Sequence, residues 1–97
     1  MAKSKFEKKL ELMFQQDFII DTQKSHIYRL SVNRNGYFCV TQNRYNMNSG
    51  VVIEPYINQW GFKELESALE KMAELKKTLP KFKSIPGNTR LLFQLYG

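Results

Sequence analysis

Two hydrophobic periods compete at the start of the chain. Phe6, Leu10, Met13 and Phe14 suit one face of a helix. The even positions from Phe6 to Thr22 nevertheless read Phe, Lys, Leu, Leu, Phe, Gln, Phe, Ile, Thr, six apolar of nine, against two of nine at the odd positions from Lys5 to Asp21. This alternation predicts a long strand over about Lys8 to Ile20, bulged near Gln15-Gln16. A short amphipathic helix at the extreme N-terminus is the alternative.

Asp21 to Ser25 has the composition of a turn. His26 to Val32 alternates again, with Tyr28, Leu30 and Val32 on one face and Ile27, Arg29 and Ser31 on the other. Asn33-Arg34-Asn35-Gly36 then predicts a hairpin, because Asn-Gly tolerates the positive φ of a tight primed turn. The return strand is predicted from Tyr37 to Asn43, followed by a polar loop from Arg44 to Gly50. Val51-Val52-Ile53 opens a fourth strand, which Pro55 ends or confines to a sheet edge.

Leu65, Ala68, Leu69, Met72, Leu75 and Leu79 recur every three or four residues and predict a helix, with Phe62 extending the stripe. Glutamates near its start and Lys76-Lys77 near its end complement the macrodipole, and Pro80 stops it. This stripe is read as core contact. Trp60 is read as an anchor between helix and sheet, and Tyr28 as buried. Lys81 to Arg90 reads as a basic connector, and Arg90 to Tyr96 as a short strand or an extended tail. The predicted class is α+β, a four-stranded antiparallel meander followed by one amphipathic helix. Residues 1–80 form the core and 81–97 a basic C-terminal extension. One helix covers one face of such a sheet and leaves the other to solvent, a ligand or a second subunit.

The chain's 97 residues suit one small domain, and a 42% hydrophobic and 25% charged composition is that of a folded protein. No stretch approaches the roughly 18 apolar residues of a membrane span. The basic start continues into mixed charge and so does not read as a secretory signal. A single Cys39 and a single His26 allow neither a disulfide nor a cysteine-based zinc site, so no metal or cofactor is expected and a reducing, cytoplasmic setting is. Phosphate-loop, paired-histidine and nucleophile-elbow motifs are absent, which favours a non-enzymatic protein. A Cys39–His26 dyad on neighbouring strands is the one catalytic arrangement left to consider.

Fifteen basic against nine acidic residues give a net charge of +6. The excess is concentrated. Residues 22–53 carry Lys24, Arg29, Arg34 and Arg44 with no carboxylate, and residues 75–97 carry Lys76, Lys77, Lys81, Lys83 and Arg90, again with none. Aromatic residues interleave with these charges. The pattern suits a surface for phosphates and stacked bases, or alternatively a basic surface kept for solubility.

The stretch Tyr28 to Phe38, with Asn33-Arg34-Asn35-Gly36 leading into Tyr37, resembles the second hairpin of a PUR repeat. Gly50-Val51-Val52-Ile53, followed by Gln59-Trp60 and a leucine-bearing helix, resembles the transcriptional positive cofactors. Residues 10 to 79 thus resemble the single-stranded-nucleic-acid-binding superfamily of Whirly, PUR and positive cofactor proteins. The chain differs from the PUR pattern at Ser31 and Asn35, and it lacks the cofactors' Arg-Glu dipeptide. The resemblance implies a homodimer of sheet-and-helix units that binds unpaired DNA or RNA across its sheets, in replication, recombination, transcription or RNA control. The candidate contacts are Arg29, Arg34, Tyr37, Arg44 and Tyr45, with Lys24 as a peripheral phosphate contact and Tyr37 as the stacking ring. The competing expectation is a small assembly subunit. In it the free face and the Arg90–Tyr96 strand join other chains by β-addition, with Leu91, Phe93 and Leu95 as anchors.

Overall fold

The computed structural model describes residues 4–87 and 89–95. The fold is α+β, but it is not the predicted meander with one helix. Two helices pack with a six-stranded mixed sheet of order β5-β1-β2-β3-β4-β6. The strands are β1 (Phe18–Asp21), β2 (His26–Val32), β3 (Phe38–Asn46), β4 (Val51–Phe62), β5 (Phe82–Ile85) and β6 (Leu92–Leu95). Helix α1 (Lys5–Phe14) precedes them, and α2 (Leu65–Thr78) follows β4. Neighbours pair antiparallel except β4 and β6, which are parallel.

The largest correction is at the N-terminus, where a helix replaces most of the long strand. Capping decides the contest of periods. Ser4 Oγ accepts the Glu7 backbone N–H at 3.1 Å, and Glu7 stands where a capping box places its acidic residue. Met13 is buried and Leu10 packs beside it on the main core. Phe6, Leu12 and Phe14, half of the six apolar positions in the apparent alternation, are left exposed. Only Phe18 to Asp21 remains as strand.

The turns follow the residues that form them. Asp21 Oδ1 accepts the backbone N–H groups of Gln23 and Lys24, which closes the β1–β2 turn. Asn33 Oδ1 accepts those of Asn35 and Tyr37 at the next hairpin, where Gly36 alone takes a positive φ of 83°. That turn is therefore wider than the expected two-residue primed type, and β3 begins at Phe38. β3 also runs three residues beyond the predicted end, to Asn46, which shortens the following loop. β4 continues through Pro55 after a cis Glu54-Pro55 peptide. Its register against β3 shifts between Gln42 and Arg44, so Glu54 to Ile57 together oppose Asn43. Pro55 does not end the strand, but the β6 pairing covers only Val51 to Glu54. Among the described residues β4 therefore runs along the sheet edge from Pro55 onward, as its proline predicts.

The main core lies between α2 and one sheet face. Ile19, Tyr28, Leu30, Phe38 and Val40 meet Leu65, Ala68, Met72 and Leu75 there. Trp60 packs partly buried against this cluster, its ring 6.4 Å from that of Tyr28 and under the Lys71 ammonium at 4.5 Å. The opposite face, expected to stay open, is partly covered by the chain itself. The connector predicted from Lys81 begins as strand β5 beside β1, and β6 lies at the other edge, both running in the same direction. Their connection therefore has to cross a face, and α2 occupies the first. Leu91 packs with Phe18, Tyr45 and Ile85 against buried Ile20, Ile27 and Val52. Among the described residues, no helix is long and apolar enough to cross a membrane.

Gly87 marks the close approach at the start of this crossing. A Cβ there would collide with the backbone carbonyl oxygens of Gln16 and Phe14, whereas one at Gly61 meets nothing within 4 Å. Gly87→Ala should therefore lower stability by about 1–3 kcal/mol in urea unfolding. Gly61→Ala should raise it by up to about 1 kcal/mol, since it removes backbone entropy from the unfolded chain.

Candidate nucleic-acid interface

The six residues singled out by sequence do not share one surface. Strand registers place a row of residues across all six strands: Phe82, Asp21, His26, Arg44, Ile53 and Gln94. Lys24 lies in the adjoining turn, so Lys24 and Arg44 belong to the same end of the sheet. Arg34 and Tyr37 are exposed at the opposite end, in the β2–β3 hairpin. Tyr45 is half-buried against the second core.

Arg29 is committed to the protein's own structure. It projects from the middle of β2, its side chain 18% exposed, and donates through Nη2 to Asn43 Oδ1 at 3.1 Å. Glu54 lies 3.9 Å away, and the guanidinium stacks over Phe93 at 4.7 Å. Asn43 is fully buried and donates in turn to Ile53 O and Glu54 Oε2. One cation thus joins β2, β3, β4 and β6. Burial works against its charge, and Glu54 partly restores it. Its Nε–H is buried without a partner.

The expectation missed what β5 contributes. Thr22 N–H donates to Lys81 O at 3.3 Å, and Phe82 pairs with Asp21, so Lys81, Phe82 and Lys83 join the end that carries Lys24 and Arg44. Lys76 and Lys77, in the last turn of α2, lead into the same edge. All these cations are exposed, and among the described residues none forms an ion pair. Asp21 is buried at the same end, its carboxylate turned to the backbone. The carboxylates of Glu7, Glu11, Asp17, Glu64 and Glu66 belong to α1, the loop after it and the start of α2, toward the other end, where Lys5, Lys8, Lys9, Lys63 and Arg34 balance them. Phe82, half-exposed between Lys81 and Lys83, supplies an aromatic ring at the basic end. The alternation of charge and ring from Lys81 to Lys83 was the available signal.

His26 reports on this electrostatic environment. Its Nδ1 lies 2.8 Å from Gln42 Nε2, which can only donate, while Gln42 Oε1 accepts from Asn58 at 3.0 Å. Burial lowers the His26 pKa from the usual 6.5, and Lys24 and Arg44 push in the same direction against Asp21. The imidazole is on the helix face and Cys39 on the opposite one, five strand positions away, so no dyad forms. Burial also pushes the Cys39 thiol up, away from the reactive thiolate. Among the described residues no cluster of His, Cys, Asp and Glu suits a metal ion. No protein family, curated protein or solved structure matches the chain.

Two expectations follow. The neutral His26 favoured by folding supplies stability that is complete above about pH 6.5 and is lost as pH falls through the lower folded value. An NMR titration should place its midpoint below 6.5, and Lys24→Gln should move it upward. Arg29→Ala leaves Asn43 Oδ1 without its donor and Glu54 without its counter-ion, so it should cost about 1–3 kcal/mol of stability in chemical denaturation.

Proposed function

We propose that this protein binds single-stranded DNA or RNA at the basic end of its sheet. The observation that carries the reading is the meeting of the two carboxylate-free segments: β5 pairs with β1, so Lys81 and Lys83 stand beside the turn bearing Lys24, near Arg44. Unpaired cations at one end offer a backbone several phosphate contacts. Each phosphate neutralised on a single strand steepens the salt dependence by a slope of about −0.7. Phe82 presents a ring on which a base can stack, an interaction worth about 1–3 kcal/mol.

This reading replaces the sheet face with the sheet end as the contact surface. The face cannot serve in the way expected, because Leu91 covers part of it and Arg29 is held among Asn43, Glu54 and Phe93. Lys24 and Arg44 keep their proposed roles, joined by Lys81, Lys83 and Phe82. Arg34 and Tyr37 are too far along the strands to belong to the same patch.

Fluorescence anisotropy with labelled oligonucleotides tests the proposal. Binding should be micromolar or tighter at low salt, stronger for single strands than for duplex, and weaker as salt rises. The Lys24→Glu/Lys81→Glu double variant should lose most of the affinity and flatten the salt slope. Phe82→Ala should weaken binding by about 5- to 150-fold, while Arg34→Glu has a small effect. Absence of binding to DNA and RNA at low salt overturns the reading, and equal losses from Arg34→Glu and Lys24→Glu/Lys81→Glu remove the basic end as its location.

A further inference from the structure

The two edges of the sheet are finished differently. Strand β5 is flanked by Pro80 and Pro86 and carries Lys81 and Lys83 at and beside its edge, devices that discourage pairing with another chain. Strand β6 has none of them. The sequence from Leu91 to Tyr96 is uncharged, and Leu92, Phe93 and Leu95 are 58%, 55% and 80% exposed. On one side β6 is paired with β4, and its other edge has no strand partner among the described residues. A cleft of about 500 Å³ adjoins it, lined by Glu54, Pro55, Phe93 and Leu95. Exposed Tyr56 and Ile57 follow Pro55 along β4 and extend the apolar surface.

Charge says which edge suits a second copy of the chain. A net charge of +6 sets copies of the chain against one another. The cations of the basic end sit chiefly on the β1–β5 side, at the edge farthest from β6. The β6 edge is therefore the one by which two copies can meet with their basic surfaces farthest apart. It is also self-complementary. When Gln94 of one copy meets Gln94 of another in antiparallel register, Phe93 stands opposite Leu95, both on the cleft side, as a two-fold axis requires.

We propose that β6 pairs antiparallel with β6 of a second copy, joining the two sheets into one. The pairing satisfies the open edge with backbone hydrogen bonds and withdraws Phe93 and Leu95 from water. The two cores remain within their own protomers.

Sedimentation equilibrium over a micromolar-to-millimolar concentration series tests this, with backbone hydrogen exchange as the second measurement. The expected result is a dimer of twice 11.5 kDa whose formation slows exchange at Leu92 to Leu95. Leu95→Lys, at a position too exposed to support the fold, should raise the dissociation constant at least about tenfold. Leu92→Lys serves the same purpose if the first variant unfolds, with circular dichroism as the check. Phe14→Lys on exposed α1 should leave the dimer intact. A monomer at every concentration overturns the proposal and leaves the edge to a different protein. A dimer indifferent to both leucine variants, or one lost in Phe14→Lys, also overturns it by placing the interface elsewhere.

Discussion

The architecture turns on one constraint of chain direction. The outer strands β5 and β6 run the same way at opposite edges of the sheet, so the chain between them must cross a face. Helix α2 already covers one, and the crossing takes the other, where Leu91 closes a small second core over Ile20, Ile27 and Val52. A sheet that reads as half-open from its strands alone is thereby sandwiched between a helix and a returning segment. The sheet's ends, its β6 edge and a cavity of about 300 Å³ beside Arg29, Ser31 and Thr41 stay accessible.

The same crossing explains the role of Arg29. A half-buried cation on a free face would be available to a phosphate. Once β6 has been laid beside β4, the guanidinium has Phe93 on one side and the Asn43–Glu54 pair on the other. The register shift in β4 that places Glu54 opposite Asn43 is part of this arrangement. Charge that looked functional in the chain is structural in the fold, and charge assigned to a connector, at Lys81 and Lys83, comes to stand at the end of the sheet that carries Lys24.

Local patterns announced the middle of the molecule well. His26 to Val32, the Asn33–Gly36 hairpin and the leucine stripe of α2 each follow from periodicity and turn chemistry that no distant contact overrides. The N-terminal segment was misread because Leu12 and Phe14 supply an alternation without burial, whereas the Ser4–Glu7 cap that settles the matter occupies only two residues. Strands β5 and β6 are four residues each, and Phe82 to Ile85 has two apolar residues in four. Such a segment becomes a strand because Phe18 to Asp21 presents an edge to it, which no local count detects. The candidate site suffered likewise: Lys24 and Arg44 were recognisable, but their neighbours across the edge come from more than 35 residues farther along the chain.

The uneven placement of charge along the strands has a kinetic consequence. The end bearing Lys24 and Lys81 has an excess of cations. Toward the other end the carboxylates of α1 and the start of α2 are balanced by Lys5, Lys8, Lys9 and Lys63, and this uneven distribution gives the molecule an electric dipole. In the field of an extended polyanion, that dipole exerts a torque over about a Debye length, roughly 8–10 Å at moderate salt. If the proposed nucleic-acid binding holds, the protein is turned before contact and arrives with the β1–β2 turn foremost. Added salt would then slow encounter by blurring orientation as well as by weakening attraction.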